Sequence, residues 1–265
     1  MASFYCVITR HNIGFHEIIP SMYEGILKES RAPSACERAL QYATSRPDGL
    51  LTATDIPGTT PAAATRALAR LAERGILVRV SKGLYFAPRS TPIGKSQASE
   101  FDVALKVLNG RTRLRGAAAA NLLGLSTQIS ARPDVVVFSN NRPKHTDAFR
   151  VTLRRGTPPK QLPETDGALI EFIRDRGAYA ETSPAVTCEV LCKLLEGMPP
   201  KNVRQLCDVA IAEPPRVRAI LGALLELSNV APNTLEPLRK SLNPLSKFDF
   251  GHFEPLPNAH RWQAK

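Results

Sequence analysis

Apolar and polar residues follow several different rhythms along this chain. Residues 34–45 place Ala35, Ala39, Leu40 and Ala43 at helical spacing behind Ser34, whose hydroxyl suits an N-cap. Pro47-Asp48-Gly49 breaks that run. Leu50 and Leu51 lead to Thr52, which opens a short helix closed by Pro57-Gly58. Thr60 caps a third helix, and Pro61 stands at its first position, where a missing N–H costs nothing. Ala64, Leu68 and Leu71 recur on its inner face, and Gly75 ends it after Arg74. The rhythm then shifts to two short β-rich runs, residues 76–80 and 84–87, around Ser81-Lys82-Gly83. That is a hairpin signal, and Pro88 stops its second strand.

Three helices followed by a two-stranded hairpin form a winged helix-turn-helix. In that arrangement the third helix enters the major groove and its N-terminal half reaches base edges. Thr59, Thr60 and Ala62 stand at its entrance, with Thr65 beside them. Arg66 and Arg70 project four residues apart, one turn above each other. An arginine there bridges guanine O6 and N7 with two hydrogen bonds. Ser81 and Lys82 form the hairpin tip, supported by Arg79, where a wing meets phosphate or minor groove. The alternative is a solvated helix face, with Arg66 and Arg70 pairing to Glu73 or a neighbour. Winged helices also serve as protein–protein modules.

Residues 90–94 read as a linker, followed by a helix over 100–108. "RTRLRG" reads as a strand, "AAAANLLGL" as a helix closed by Gly124, and "DVVVFS" and "FRVTLRR" as two further strands. Between those two lies the polar, turn-rich "NNRPKHTDA". Arg111, Arg113 and Arg115 alternate and so share one strand face, while Arg154 and Arg155 end another strand. Like charges on one face repel unless an anion neutralises them, which makes these five a secondary phosphate-binding set. A solvated face is the alternative.

From Asp166 onward the pattern is helical throughout. Leu169, Ile170, Phe172 and Ile173 make the first apolar patch. "AVTCEVLCKLLEG", "NVRQLCDVAIAE", "RVRAILGALLELS" and "TLEPLRKSL" follow as amphipathic helices, with prolines between them at 184, 199–200, 214–215 and 232. Short connections imply an antiparallel bundle. The aromatic tail "FDFGHFEPLPNAHRWQAK" either packs back on that bundle or meets a partner. The expected fold class is α+β: a winged helix (31–90) after an N-terminal extension (1–30), then a C-terminal domain (91–265). The last divides into a mixed α/β segment (91–165) and a helical bundle (166–265).

Charge sharpens this division. The chain has 265 residues, a net charge of +11 and a sequence pI near 9.7. Residues 31–90 carry 9 Lys and Arg against 4 Asp and Glu, residues 91–165 carry 12 against 5, and residues 166–265 carry 12 against 12. The positive field therefore belongs to residues 31–165, which points to an anionic partner, either nucleic acid or an acidic membrane face. No apolar stretch approaches the roughly 18 residues that span a bilayer, and residues 1–30 contain no secretory segment, so the expectation is a cytoplasmic protein without a membrane partner.

Cysteines at 6, 36, 188, 192 and 207 match no metal or redox spacing and read as buried thiols. The histidines at 11, 16, 145, 252 and 260 are scattered. No phosphate loop, nucleophile elbow, dinucleotide fingerprint or zinc-protease motif occurs. A trio of Asp134, Lys144 and Glu164 offers a weak nuclease-like set. The reading is a non-enzyme with no cofactor or metal. A DNA-modifying enzyme with a winged-helix specificity domain stands as the rival.

"ATRALARLAERGILVRVSKGLYFAP", then "GAAAANLLGLSTQ" and the pair "VVVFSNNRP…FRVTLRRG", resemble the AbiEi antitoxins of type IV toxin–antitoxin systems over residues 36–156. The resemblance implies a repressor that binds inverted repeats upstream of its own operon through the winged helix. It also implies a C-terminal domain that counters a cognate nucleotidyltransferase toxin. On that likeness Thr60, Arg66, Arg70 and Lys82 fall at recognition-helix and wing positions. The chain would act on double-stranded DNA as a homodimer or as cooperatively binding monomers. A winged-helix regulator without a toxin is the more modest expectation. Residues 1–30 have no counterpart in that family, and a start at Met22 is an alternative.

Overall fold

The computed structural model describes residues 32–108, 111–140, 148–155 and 162–265, with Arg111 described by its backbone alone. Contacts divide the chain into residues 1–34, of which only 32–34 are described, and residues 35–265. The architecture is mixed α+β.

The first elements are α1 (Ala35–Ser45), β1 (Leu50–Thr52), a 3-10 turn (Ala53–Asp55), α2 (Pro61–Glu73), β2 (Val78–Ser81) and β3 (Leu84–Phe86). The three strands form one antiparallel sheet in the order β1-β3-β2. A short helix expected after Thr52 is a single 3-10 turn. Asp55 turns back to take the Thr52 backbone N–H at 2.8 Å and its hydroxyl at 2.9 Å. Ile56, held extended by the following proline, prevents a second turn. α2 begins as its sequence dictates, with the Thr60 hydroxyl accepting from the Ala63 N–H at 3.4 Å and Pro61 at the first position. Gly75, at φ +70°, turns the chain out of α2 into β2. Ala39 and Ala43 of α1 pack with Ala64, Leu68 and Leu71 of α2 and with Leu51 and Tyr85 of the sheet.

Residues 90–94, expected as a linker, form with Lys95 a ribbon of β4 (Ser90–Thr91) and β5 (Gly94–Lys95). Then come α3 (Glu100–Leu108), β6 (Arg111–Arg115), α4 (Gly116–Leu122), β7 (Asp134–Phe138) and β8 (Arg150–Arg154). The sheet order is β6-β7-β8, with β6 antiparallel and β8 parallel to β7. Apolar packing runs across residues 90 and 165: Leu50, Leu84 and Phe86 join Phe101, Ala104, Leu114, Val135 and, from the next helix, Ala168 in one cluster.

Five helices follow: α5 (Glu164–Arg174), α6 (Pro184–Glu196), α7 (Pro200–Ala210), α8 (Pro215–Leu227) and α9 (Pro232–Lys240). The prolines expected between the last four instead open them, each at the first helical position, where its fixed φ is already helical. The aromatic tail packs back. Trp262 is fully buried, with its indole N–H donating to Glu226 at 2.8 Å and the Arg239 guanidinium 4.7 Å from the ring centre. The Asn258 amide donates to the same Glu226 oxygen at 2.7 Å. Gly222 lies under the indole, and a Cβ there would collide with the ring. Cys188 and Cys207 are buried and Cys36 and Cys192 half-buried; burial pushes the Cys188 and Cys207 thiols up to about 11. Cys6 lies outside the described residues.

The tail contacts lead to two expected outcomes. Trp262→Ala lowers unfolding stability by about 3–5 kcal/mol, and Gly222→Ala by about 1–3 kcal/mol, both as shifts of the urea midpoint. A third concerns Asp166, 4% exposed and with no partner for its Oδ2 oxygen among the described residues. Burial pushes its carboxyl up to about 6, above its unfolded value near 4. Its folded pKa being raised, the group costs nothing below pH 4 and destabilises as pH rises through 6. Asp166→Asn therefore gains roughly 2–3 kcal/mol over wild type at pH 7.5 and nothing at pH 4, measured by urea unfolding across that range.

Candidate nucleic-acid interface

The periodicity of α2 separates two faces. Ala64, Ala67, Leu68 and Leu71 are buried. Ala62, Thr65, Arg66, Arg70 and Glu73 are exposed, with Ala69 half-buried among them. Thirteen residues make a rod about 20 Å long, and the alanines at 62 and 69 keep its outer face thin. Such a rod, 10–12 Å across, matches a B-DNA major groove about 12 Å wide. Thr60 is exposed and Thr59 half-buried at the helix entrance. The Thr65 hydroxyl donates to the Pro61 carbonyl at 2.8 Å, leaving its lone pairs outward. The loop before α2 is held by the Arg38 guanidinium on the Gly58 carbonyl.

Arg66 and Arg70 are one turn apart, and Arg74, the exposed C-cap residue, continues the series. Sequence reasoning omitted Arg74, although its spacing of four from Arg70 was the signal. Arg79 on β2 and Lys82 at the turn are exposed, and Ser81 is half-buried. Gly83, at φ +77°, closes that turn. Ser81, Lys82 and Gly83 border a groove with Thr52 and with Lys106 of α3. Lys106 is already paired to Asp55 at 3.1 Å. Among the described residues, no carboxylate forms an ion pair with Arg66, Arg70, Arg74, Arg79 or Lys82. These five are open cations on one stretch of chain.

The arginines expected as a secondary phosphate set divide differently. Arg113 is 2% exposed and donates to Glu171 at 3.1 Å and to Glu213 at 2.7 Å. It cannot reach a phosphate, because its strand face is covered by α5. Arg154 makes a two-pronged contact with Glu171, 2.8 Å on each prong, and Arg174 bonds to Glu213. Arg113 and Arg154 both lie over the Phe138 ring, at 4.7 and 5.2 Å. Burial opposes the Arg154 charge, but its Glu171 bonds outweigh this and hold the guanidinium above its ordinary range. Burial likewise opposes the Glu213 charge, and Arg113 and Arg174 outweigh it, holding the carboxyl low. Arg115 grips Asp175 with two bonds of 2.9 Å, which raise its pKa. The anions that neutralise these residues are internal carboxylates from the helical half. Arg155 is exposed, and the Arg111 side chain lies outside the described residues.

Asp134 faces Arg150 at 3.5 Å, and Glu164 accepts from Ser99 at 3.5 Å. Lys144, the third member of the nuclease-like trio, lies outside the described residues. Among the described residues, no cluster of three or more His, Cys, Asp or Glu has metal-holding geometry. No described helix is long and apolar enough to cross a membrane.

Residues 44–171 match the model of a family of unknown function (DUF6088). That span contains α2, the β2–β3 hairpin, the ribbon and the β6-β7-β8 sheet. No curated protein matches the chain. Among solved structures, it is similar to the RV2827C protein from Mycobacterium tuberculosis at 18% identity and a TM-score of 0.43, over 83% of this chain and 85% of that one.

The buried cluster and the exposed Arg155 respond differently to substitution. Glu213→Ala strands Arg113 and Arg174 and lowers stability by about 3–5 kcal/mol in urea unfolding. Arg155→Ala leaves the unfolding midpoint where it was.

Proposed function

We propose that residues 35–88 are a winged helix that binds duplex DNA, with α2 in the major groove and the β2–β3 turn on the backbone. The observation that carries this reading is the row of exposed cations, Arg66, Arg70 and Arg74, on the open face of α2, flanked by Arg79 and Lys82, none of them ion-paired among the described residues. The order helix, strand, turn, helix, hairpin and the sheet order β1-β3-β2 support it. Thr60, Ala62, Thr65, Arg66 and Arg70 meet base edges, and Arg79, Ser81 and Lys82 meet sugar-phosphate. Residues 164–265 form a helical bundle that carries the partner-binding role.

The biological role in this proposal is autoregulation: a repressor of its own operon that also counters a nucleotidyltransferase toxin. The toxin part rests on the resemblance across residues 36–156. Its test is co-purification of the full chain with a nucleotidyltransferase encoded beside it and relief of that enzyme's growth arrest. A regulator that binds DNA without such a partner fails this test and passes the next.

For DNA binding, the full chain is used to select duplexes from a random library, and affinities for the selected and unselected pools are compared. Arg66→Ala costs about 1–3 kcal/mol on the selected duplex and little on the unselected pool. Lys82→Ala weakens both alike and reduces the salt slope by about one. Equal losses on both pools for Arg66→Ala would remove α2 from the base-reading role. Magnesium-dependent strand cleavage of the selected duplex would instead favour a DNA-modifying enzyme.

A further inference from the structure

We propose that the β4–β5 ribbon is a second DNA-contacting element, whose apolar tip wedges between base steps in a minor groove flanking the site read by α2. This rests on the DNA-binding reading above and adds a deformation of the duplex to it.

The tip presents apolar side chains to water. Ile93 is 98% exposed and Pro92 beside it is exposed. An isoleucine held that far into water gains nothing for the fold. The ribbon is nevertheless built rather than slack. Ser90 pairs with Lys95 and Thr91 with Gly94. The Thr91 hydroxyl donates to the Gly94 carbonyl at 2.7 Å, and Arg89 and Ser96 exchange two bonds of 2.8 Å at the root. The Arg89 guanidinium ties that root to the Arg46 carbonyl at the end of α1, at 2.6 Å. A firm ribbon with an apolar point is the form in which proteins unstack base pairs from the minor groove.

Charge decides the occupant. Residues 74–99 hold five cations, Arg74, Arg79, Lys82, Arg89 and Lys95, and no Asp or Glu. A polyanion is attracted to that stretch, whereas a second copy of the same ribbon is repelled. Position agrees. Val78 opens β2, Phe86 ends β3 and Leu50 opens β1, and Phe86 pairs with both of the others. The C-terminal end of α2 and the root of the ribbon therefore lie at one end of this sheet. The Arg66-Arg70-Arg74 row runs toward that end, so a duplex lying along α2 continues toward the ribbon.

The experiment uses the full chain and the duplex it selects from the random library, with fluorophores at the two ends and 2-aminopurine placed in turn at successive flanking steps. Wild type is expected to bend the duplex by an angle on the order of 20–90° and to brighten 2-aminopurine at one flanking step. Ile93→Ser loses both signals and binds roughly tenfold more weakly, while Ile93→Met, which restores an apolar wedge, keeps both. Ile93 makes no core contact, so circular dichroism of both variants matches wild type. Ile93→Ser that binds, bends and brightens like wild type overturns the wedge. So does a change in sedimentation of Ile93→Ser with the bend intact, which would assign the tip to self-association. Arg66→Ala separates the two levels: if it loses selectivity while Ile93→Ser changes nothing, the wedge falls and the α2 reading stands. If no duplex is selected at all, both fall.

Discussion

An arginine stays charged wherever the chain puts it, so every one of them needs a carboxylate, a carbonyl, an external anion or water. The rest of this structure depends on how that demand is met at Arg113. Its guanidinium lies beneath α5, between Glu171 and Glu213, and shares those carboxylates with Arg154 and Arg174. β6 and β8 supply two of the three cations, and α5 and the segment before α8 supply the anions. The pairing therefore fastens the basic sheet to the neutral helical half. A buried charge without its partner costs several kcal/mol, so α5 and β6 cannot separate without exposing the whole cluster to water.

That internal neutralisation changes the meaning of the chain's positive charge. Three of the twelve cations counted over residues 91–165, Arg113, Arg115 and Arg154, are paired with carboxylates from residues 166–265. Among the described residues, α2, β2, the β2–β3 turn and the ribbon carry a run of exposed cations, while others such as Arg132, Arg155, Lys201 and Arg204 lie scattered elsewhere. The positive charge open to an external anion is thus smaller than the sequence count implies, and residues 66–95 hold the longest run of it with no Asp or Glu but Glu73. A concentrated field suits a docking surface better than a diffuse one, because phosphate contacts then fix position as well as strength.

Local chemistry was legible wherever the signal acts within a few residues. Thr60 with Pro61 started α2, Gly75 stopped it, and Ser81-Lys82-Gly83 turned a hairpin, all as read. Helices α3 to α9 also stand close to where apolar periodicity placed them. The errors fell where two local signals competed. Thr52 promised a helix, but Asp55 and the residue before Pro57 limited it to one turn. The prolines at 184, 200, 215 and 232 looked like breaks and are helix starts, because a first-turn proline needs no hydrogen bond. Residues 90–94 read as linker, yet with Lys95 they make a tight ribbon.

By itself the sequence determined most of the helices, the β2–β3 hairpin, the inward face of α2 and the outward position of Arg66 and Arg70, since helical spacing alone assigns those faces. It could not sort Arg66 from Arg113. Both are arginines in basic segments with polar neighbours. Only the tertiary structure decided that Glu171 and Glu213, 58 and 100 residues away from Arg113, come within hydrogen-bond reach of it. Partners so distant leave no trace in local spacing, because they meet only when α5 and α8 pack on their apolar faces.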